Sequence, residues 1–140
     1  MASPALQGSC GCGAIRFEIT EPLVGAAYCH CRACQKRTGT AVQASAAMAP
    51  GSLTITAGRE RLREWAPPYG GYVKSFCAVC GSHLFGRAPV ADEFSIVRMA
   101  AIDGDPGVRP AARQFVASAA EWEPIPDDGL PRYDGVLPWR

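Results

Sequence analysis

Residues 28–39 read Tyr28-Cys29-His30-Cys31-Arg32-Ala33-Cys34-Gln35-Lys36-Arg37-Thr38-Gly39, and the reading of this stretch decides the fold. Three cysteines fall within six residues, with one pair upstream (Cys10, Cys12) and another downstream (Cys77, Cys80). Thiols spaced this closely converge on a soft cation more readily than they form separate disulfides. Zn²⁺ is the expected ion, because it takes sulfur at about 2.3 Å in a tetrahedron. Seven cysteines are an odd number. Four plus three gives one closed structural site and one site with a vacant corner, where chemistry can occur.

Two of the cysteine turns look alike. Cys10-Gly11-Cys12-Gly13 and Cys77-Ala78-Val79-Cys80-Gly81 each end in glycine. In such a knuckle, backbone N–H groups point at sulfur, and a glycine after the second ligand permits the positive φ that this requires. The two knuckles are therefore expected to face each other as a four-thiolate site of Cys10, Cys12, Cys77 and Cys80. A bland alternative is a set of reduced core cysteines with no metal, but paired knuckle spacing seldom arises from packing alone.

Cys29, Cys31 and Cys34 have neither a glycine-ended partner nor a fourth cysteine. In an extended segment the thiols of Cys29 and Cys31 project to one side. Cys34 returns a turn later at the start of a short helix, whose dipole favours thiolate. The trio is expected to hold a second Zn²⁺ with an exchangeable fourth ligand. A redox-active cysteine cluster, or a site closed by a distant Asp, Glu or His, are the alternatives. His30 should face away from its neighbours' thiols, as an ordinary partly exposed histidine. His83 reads as a surface residue or a neighbour of the second knuckle. Arg32, Lys36 and Arg37 have two readings. They form a solvated helix face, or they offset the formal −1 charge of a trithiolate zinc and attract an anionic ligand. Trp65, Trp122 and Trp139 read as core or tail anchors.

Around these motifs the chain reads as mostly β and antiparallel, with one short helix. Residues 14–20 alternate, with Ile15, Phe17 and Ile19 on one face and Arg16, Glu18 and Thr20 on the other, the pattern of a half-buried strand. A second strand over 24–28 delivers the chain to the central cluster. The helix is expected over 32–38, stopped by Gly39 in the left-handed region. Further strands are expected at 41–48, 53–56, 61–65, 72–76, 83–86, 94–99 and 114–118, eight or nine in all. With 15 glycines and 12 prolines spread through the chain, many short elements are favoured over long helices.

Length and charge bound the rest. A chain of 140 residues and 14.8 kDa is expected to form one domain over 1–140, with its core at about 8–122 and an extended Pro-rich tail at 123–140. Net charge is +1, and no basic run exceeds Lys36-Arg37, so no electrostatic footprint for nucleic acid exists. The longest apolar runs, such as 44–50, broken by Ser45, are too short to cross a bilayer. Met1-Ala2-Ser3-Pro4-Ala5 lacks the charged and apolar regions of a signal peptide. The cytosol is the expected compartment, with the cysteines reduced. Exposed strand edges allow a homodimer.

With these residues in view, the chain resembles the glutathione-dependent formaldehyde-activating enzyme and centromere-protein-V family. The resemblance runs from Gly8 to about Tyr133. It rests on 8–18 (GSCGCGAIRFE), 28–39, 74–85 (KSFCAVCGSHLF) and the closing 122–133 (WEPIPDDGLPRY). It implies a two-sheet β-tent zinc fold, a structural zinc at Cys10, Cys12, Cys77 and Cys80, and a catalytic-type zinc at Cys29, Cys31 and Cys34. Many members carry a histidine where this chain has Gln114. The activity implied is that of a carbon–sulfur lyase acting on glutathione or another small thiol and its aldehyde adduct. Arg32, Lys36 or Arg37 would receive the carboxylates of the thiol substrate. The rival is a non-catalytic zinc module for a protein or small ligand. A weaker third idea, methionine-sulfoxide-reductase-like chemistry, needs a free nucleophilic cysteine, and all seven are assigned.

Overall fold

The computed structural model describes residues 5–138. Ten strands and one α-helix form, in the order β1 (Leu6–Ser9), β2 (Arg16–Ile19), β3 (Gly25–Cys29), α1 (Arg32–Thr38), β4 (Gln43–Ala47), β5 (Leu53–Ala57), β6 (Leu62–Trp65), β7 (Val73–Cys77), β8 (His83–Arg87), β9 (Ile96–Arg98) and β10 (Arg113–Gln114). Three short 3₁₀ turns, Arg59–Arg61, Met99–Ala101 and Val116–Ser118, punctuate them. The strands make a three-stranded sheet, β1-β2-β5, and a seven-stranded sheet, β10-β3-β4-β9-β8-β7-β6. Every pairing is antiparallel except that of β10 with β3, which is parallel.

Alternation explains the core. Ile15, Phe17 and Ile19 are buried while Arg16 is exposed. The Phe17 ring meets Phe85 of β8 edge to face, with centroids 4.9 Å apart, and so joins the two sheets with a favoured aromatic geometry. Leu84, Phe85 and Gly86 are all buried, as befits a strand covered on both faces. Phe17 can lie against β1 only because Gly8 is there: a Cβ at position 8 would overlap the ring.

The helix spans Arg32–Thr38 as expected, and Gly39 closes it with φ of 70°. Several expected strands came out shorter, 14–20 as Arg16–Ile19 and 41–48 as Gln43–Ala47 among them. The run 94–99 keeps only Ile96–Arg98, and of 114–118 only Gln114 is in a strand, which starts one residue earlier at Arg113, before the chain turns at Phe115, φ 57°. Strand β1 carried no alternation of its own and forms by pairing with β2 over Leu6↔Ile19 to Ser9↔Arg16. The proline-punctuated tail runs beside β10. Arg113 N donates to the Pro131 carbonyl at 2.9 Å, and Tyr133 N donates to the Arg113 carbonyl at 2.8 Å. No helix of the described residues is long and apolar enough to cross a membrane.

Candidate metal centres

The first centre is built by two knuckles that chain topology brings together. Cys10 and Cys12 follow β1, while Cys77 ends β7 and Cys80 lies in the turn before β8. Their four Sγ atoms all lie within 4.8 Å of one another. Cys10 Sγ is 3.6 Å from Cys12 Sγ, and Cys12 Sγ is 3.9 Å from Cys77 Sγ. A cation bonded tetrahedrally to sulfur at about 2.3 Å gives edges of about 3.8 Å, so the donor set fits one ion. The glycines act as the spacing required: Gly13 has φ of 78° and Gly81 of 79°. Backbone amides point at sulfur, Ile15 N to Cys10 Sγ and Val79 N to Cys77 Sγ, both at 3.3 Å. Ser82 ties the knuckles together. Its Oγ accepts from Gly11 N at 2.8 Å and lies 3.1 Å from Cys80 Sγ.

The second centre gathers Cys29 at the end of β3, Cys31 at the N-cap of α1 and Cys34 in its first turn. All three Sγ atoms again lie within 4.8 Å, with Cys34 Sγ 3.6 Å from Cys29 Sγ. Cys31 Sγ caps the helix by accepting Cys34 N at 3.2 Å. Among the described residues no fourth His, Cys, Asp or Glu joins them. Bonds from the Cys29 and Cys34 thiols pull the Cys31 thiol down to about 2, whereas its two partners are pushed up, Cys29 above all by its bond to Cys31. Thiolates packed this closely repel one another, and a bound cation would favour the deprotonated form of all three.

Cations surround this trio on the seven-stranded sheet. Arg98 of β9 donates through Nη1 to Ser45 Oγ at 2.8 Å, Ser45 Oγ donates to Gln43 Oε1 at 2.7 Å, and Gln43 Nε2 lies 3.7 Å from Cys34 Sγ. Burial lowers Arg98 and Lys74 of β7, while the thiolates beside them oppose that shift. Arg37 lies over the rings of Trp65 and Phe76, 5.0 and 5.5 Å from their centroids, and its Nε is buried without a partner. His83 Nδ1 is likewise buried without a partner. Burial and then the nearby Arg37, Arg98 and Lys74 depress this imidazole to about 4. Gln43, His83 and Arg98 line an open cleft of about 570 Å³, together with Cys10, Ser82 and Asp103. Cys10 of the first centre lines it directly, whereas the second centre reaches it through Gln43, whose Nε2 lies 3.7 Å from Cys34 Sγ.

Of the three cations on the helix, only Arg37 turns inward; Arg32 and Lys36 are exposed. His30 is corrected from the partly exposed residue expected. It is 4% exposed, and its Nε2 lies 3.2 Å from Arg113 Nη1. Trp122, expected as an anchor, is 70% exposed. Trp65 is half-buried against Tyr69 and Arg37, and Trp139 lies outside the described residues. Gln114 pairs with Cys29 in the β10–β3 ladder, and its Oε1 accepts Leu137 N at 3.2 Å. Sequence reasoning passed over Gln43, Ser45, Lys74, Arg98 and Arg113. A signal existed for Arg98, a lone charge inside the apolar run 94–99; the others gave none.

Two sheets, one short helix and two thiol clusters with room for metal define a mostly-β metal-site protein. The chain belongs to the glutathione-dependent formaldehyde-activating enzyme family, whose model matches residues 5–118. A crystal structure of a Rhodobacter sphaeroides protein shares the fold, with a TM-score of 0.56 and 23% sequence identity over 91% of this chain and 98% of that one. No curated protein matches the chain significantly.

Proposed function

We propose that the chain is a zinc-dependent enzyme that makes or breaks the carbon–sulfur bond between a small thiol, such as glutathione, and an aldehyde. The observation that carries this reading is the incomplete trio: three sulfurs with no fourth protein ligand among the described residues, joined through Gln43 to a cleft of about 570 Å³. Zinc held by Cys29, Cys31 and Cys34 would supply an open position that takes a thiol as thiolate and lowers its pKa. In the adduct-forming direction the sulfur–carbon bond forms, and the proton released from the thiol ends on the carbonyl oxygen. The reverse direction breaks that bond and restores thiol and aldehyde.

The protein's own groups prepare this exchange. Arg98 and Lys74 offset the negative charge gathered on the trio, and burial makes their field stronger than it would be in water. Arg37, held over Trp65 and Phe76, adds a third cation and suits the carboxylates of a glutathione-like substrate. Arg32 and Lys36, on the exposed side of the helix, are left to assist encounter. Cys10, Cys12, Cys77 and Cys80 would hold a structural zinc that fixes the far wall of the cleft.

Isothermal titration of glutathione into the zinc-loaded protein and into Cys34→Ser tests the reading. Binding is expected in the first and a loss of at least tenfold in the second, since one ligand of the receiving site is gone. Equal binding by both proteins would remove thiol coordination at this metal and leave the non-catalytic module standing.

A further inference from the structure

Residues 28–31 alternate, so Tyr28 and His30 face one way while Cys29 and Cys31 face the other. One guanidinium grips both rear residues. Arg113 lies 4.3 Å over the Tyr28 ring, and its Nη1 donates to His30 Nε2 at 3.2 Å. A guanidinium offers only donors, so His30 Nε2 must accept and the ring carries its proton on Nδ1. Arg113 and His30 are only 5% and 4% exposed, so this pairing is made away from water; the guanidinium's remaining group, Nε, is buried without a partner.

The guanidinium is itself held by the tail. Arg113 Nη2 donates to Asp128 Oδ2 at 2.8 Å, and Asp128 Oδ1 accepts Leu130 N at 3.1 Å. The backbone repeats the arrangement: His30 N donates to the Gln114 carbonyl at 3.0 Å, while Gln35 Nε2 bridges the His30 and Ser118 carbonyls at 2.8 and 2.9 Å. Nothing comparable runs from the tail to the knuckles of the first centre among the hydrogen bonds of the described residues.

We propose that Asp128, acting through Arg113 and His30, is a positioning residue of the second cysteine centre, so that the tail fixes the Cys29 and Cys31 sulfurs at the spacing their metal needs. The inference rests on the reading of that trio as a metal site. A latch behind the ligand strand sets how tightly the open centre holds its ion, and leaves the four-sulfur centre alone.

The test is metal release from the two-metal protein into a chromogenic chelator, with Cys34→Ser identifying the phase that belongs to the trio. Asp128→Asn should speed that phase severalfold, less than the about tenfold of a direct outer partner of a metal ligand because it acts through Arg113 and His30, and leave the other phase unchanged. In the cobalt-substituted protein it should shift the sulfur-to-cobalt absorption of the trio alone. Unchanged release and absorption would overturn the proposal, and so would equal acceleration of both phases, the mark of general loosening. A wild-type protein that binds a single metal equivalent would overturn the metal reading of the trio itself, and the latch with it.

Discussion

Arg98 and Ser45 face each other across the β4–β9 pairing, and the 2.8 Å bond from Arg98 Nη1 to Ser45 Oγ begins a chain that ends on Cys34. Gln43 is the intermediate, accepting from Ser45 at 2.7 Å and reaching Cys34 Sγ at 3.7 Å. A half-buried cation is thereby connected to a cysteine sulfur by neutral groups alone. Arg98→Met should weaken metal binding at the trio by about tenfold to a hundredfold, read by chelator competition. Gln43→Leu should do so less, because it leaves the charge in place. An unaltered affinity in Arg98→Met would show that the guanidinium does not act on the sulfurs.

The two centres should differ in what their loss does to folding. Cys77 is fully buried and Cys10 nearly so, and their centre ties together segments 65 residues apart. A structural zinc contributes about 10–16 kcal/mol apparent, against about 5–15 kcal/mol for a whole domain. Cys77→Ser should therefore abolish the cooperative thermal transition. Cys34→Ser should lose one metal equivalent and keep that transition. Circular dichroism with metal analysis decides, and a folded Cys77→Ser protein would contradict the assignment.

His83 gives the pH dependence a direction. Its imidazole is held near 4, against an ordinary value of 6.5, chiefly by burial and then by Arg37, Arg98 and Lys74. The unfolded chain binds a proton below 6.5 that the folded chain refuses, so stability falls as pH drops from 6.5 toward 4 and levels off below. His83→Gln should flatten that limb. Imidazole resonances followed by NMR should show His83 titrating near 4, and a value near 6.5 would refute the burial argument.

Gly58 carries a prediction outside the metal centres. It has φ of 75°, and a Cβ there would overlap the carbonyl of Ala14, next to the buried Ile15. Gly58→Ala should destabilise the fold by about 1–3 kcal/mol, through strain at positive φ and backbone overlap. Urea denaturation measures it. A change within about 0.5 kcal/mol, the usual range of a neutral surface substitution, would show that the β5 end yields freely.

The seven thiols partition as local spacing requires, and the glycines at 13 and 81 take the positive φ that a knuckle needs. The helix over Arg32–Thr38, its stop at Gly39 and the alternation of β2 are equally local, since propensity and period act over a few residues. These were settled by sequence alone. The cations of the second centre were not, because Lys74 and Arg98 lie on β7 and β9, and only strand order brings them to the sulfurs. His30 looked exposed because nothing near it in sequence could bury it; a parallel strand from 83 residues away did so, and its Arg113 is in turn bonded to a carboxylate of the tail. Ligand identity is written in short-range spacing, whereas the charge and support around a ligand come from segments that meet only when the sheets assemble.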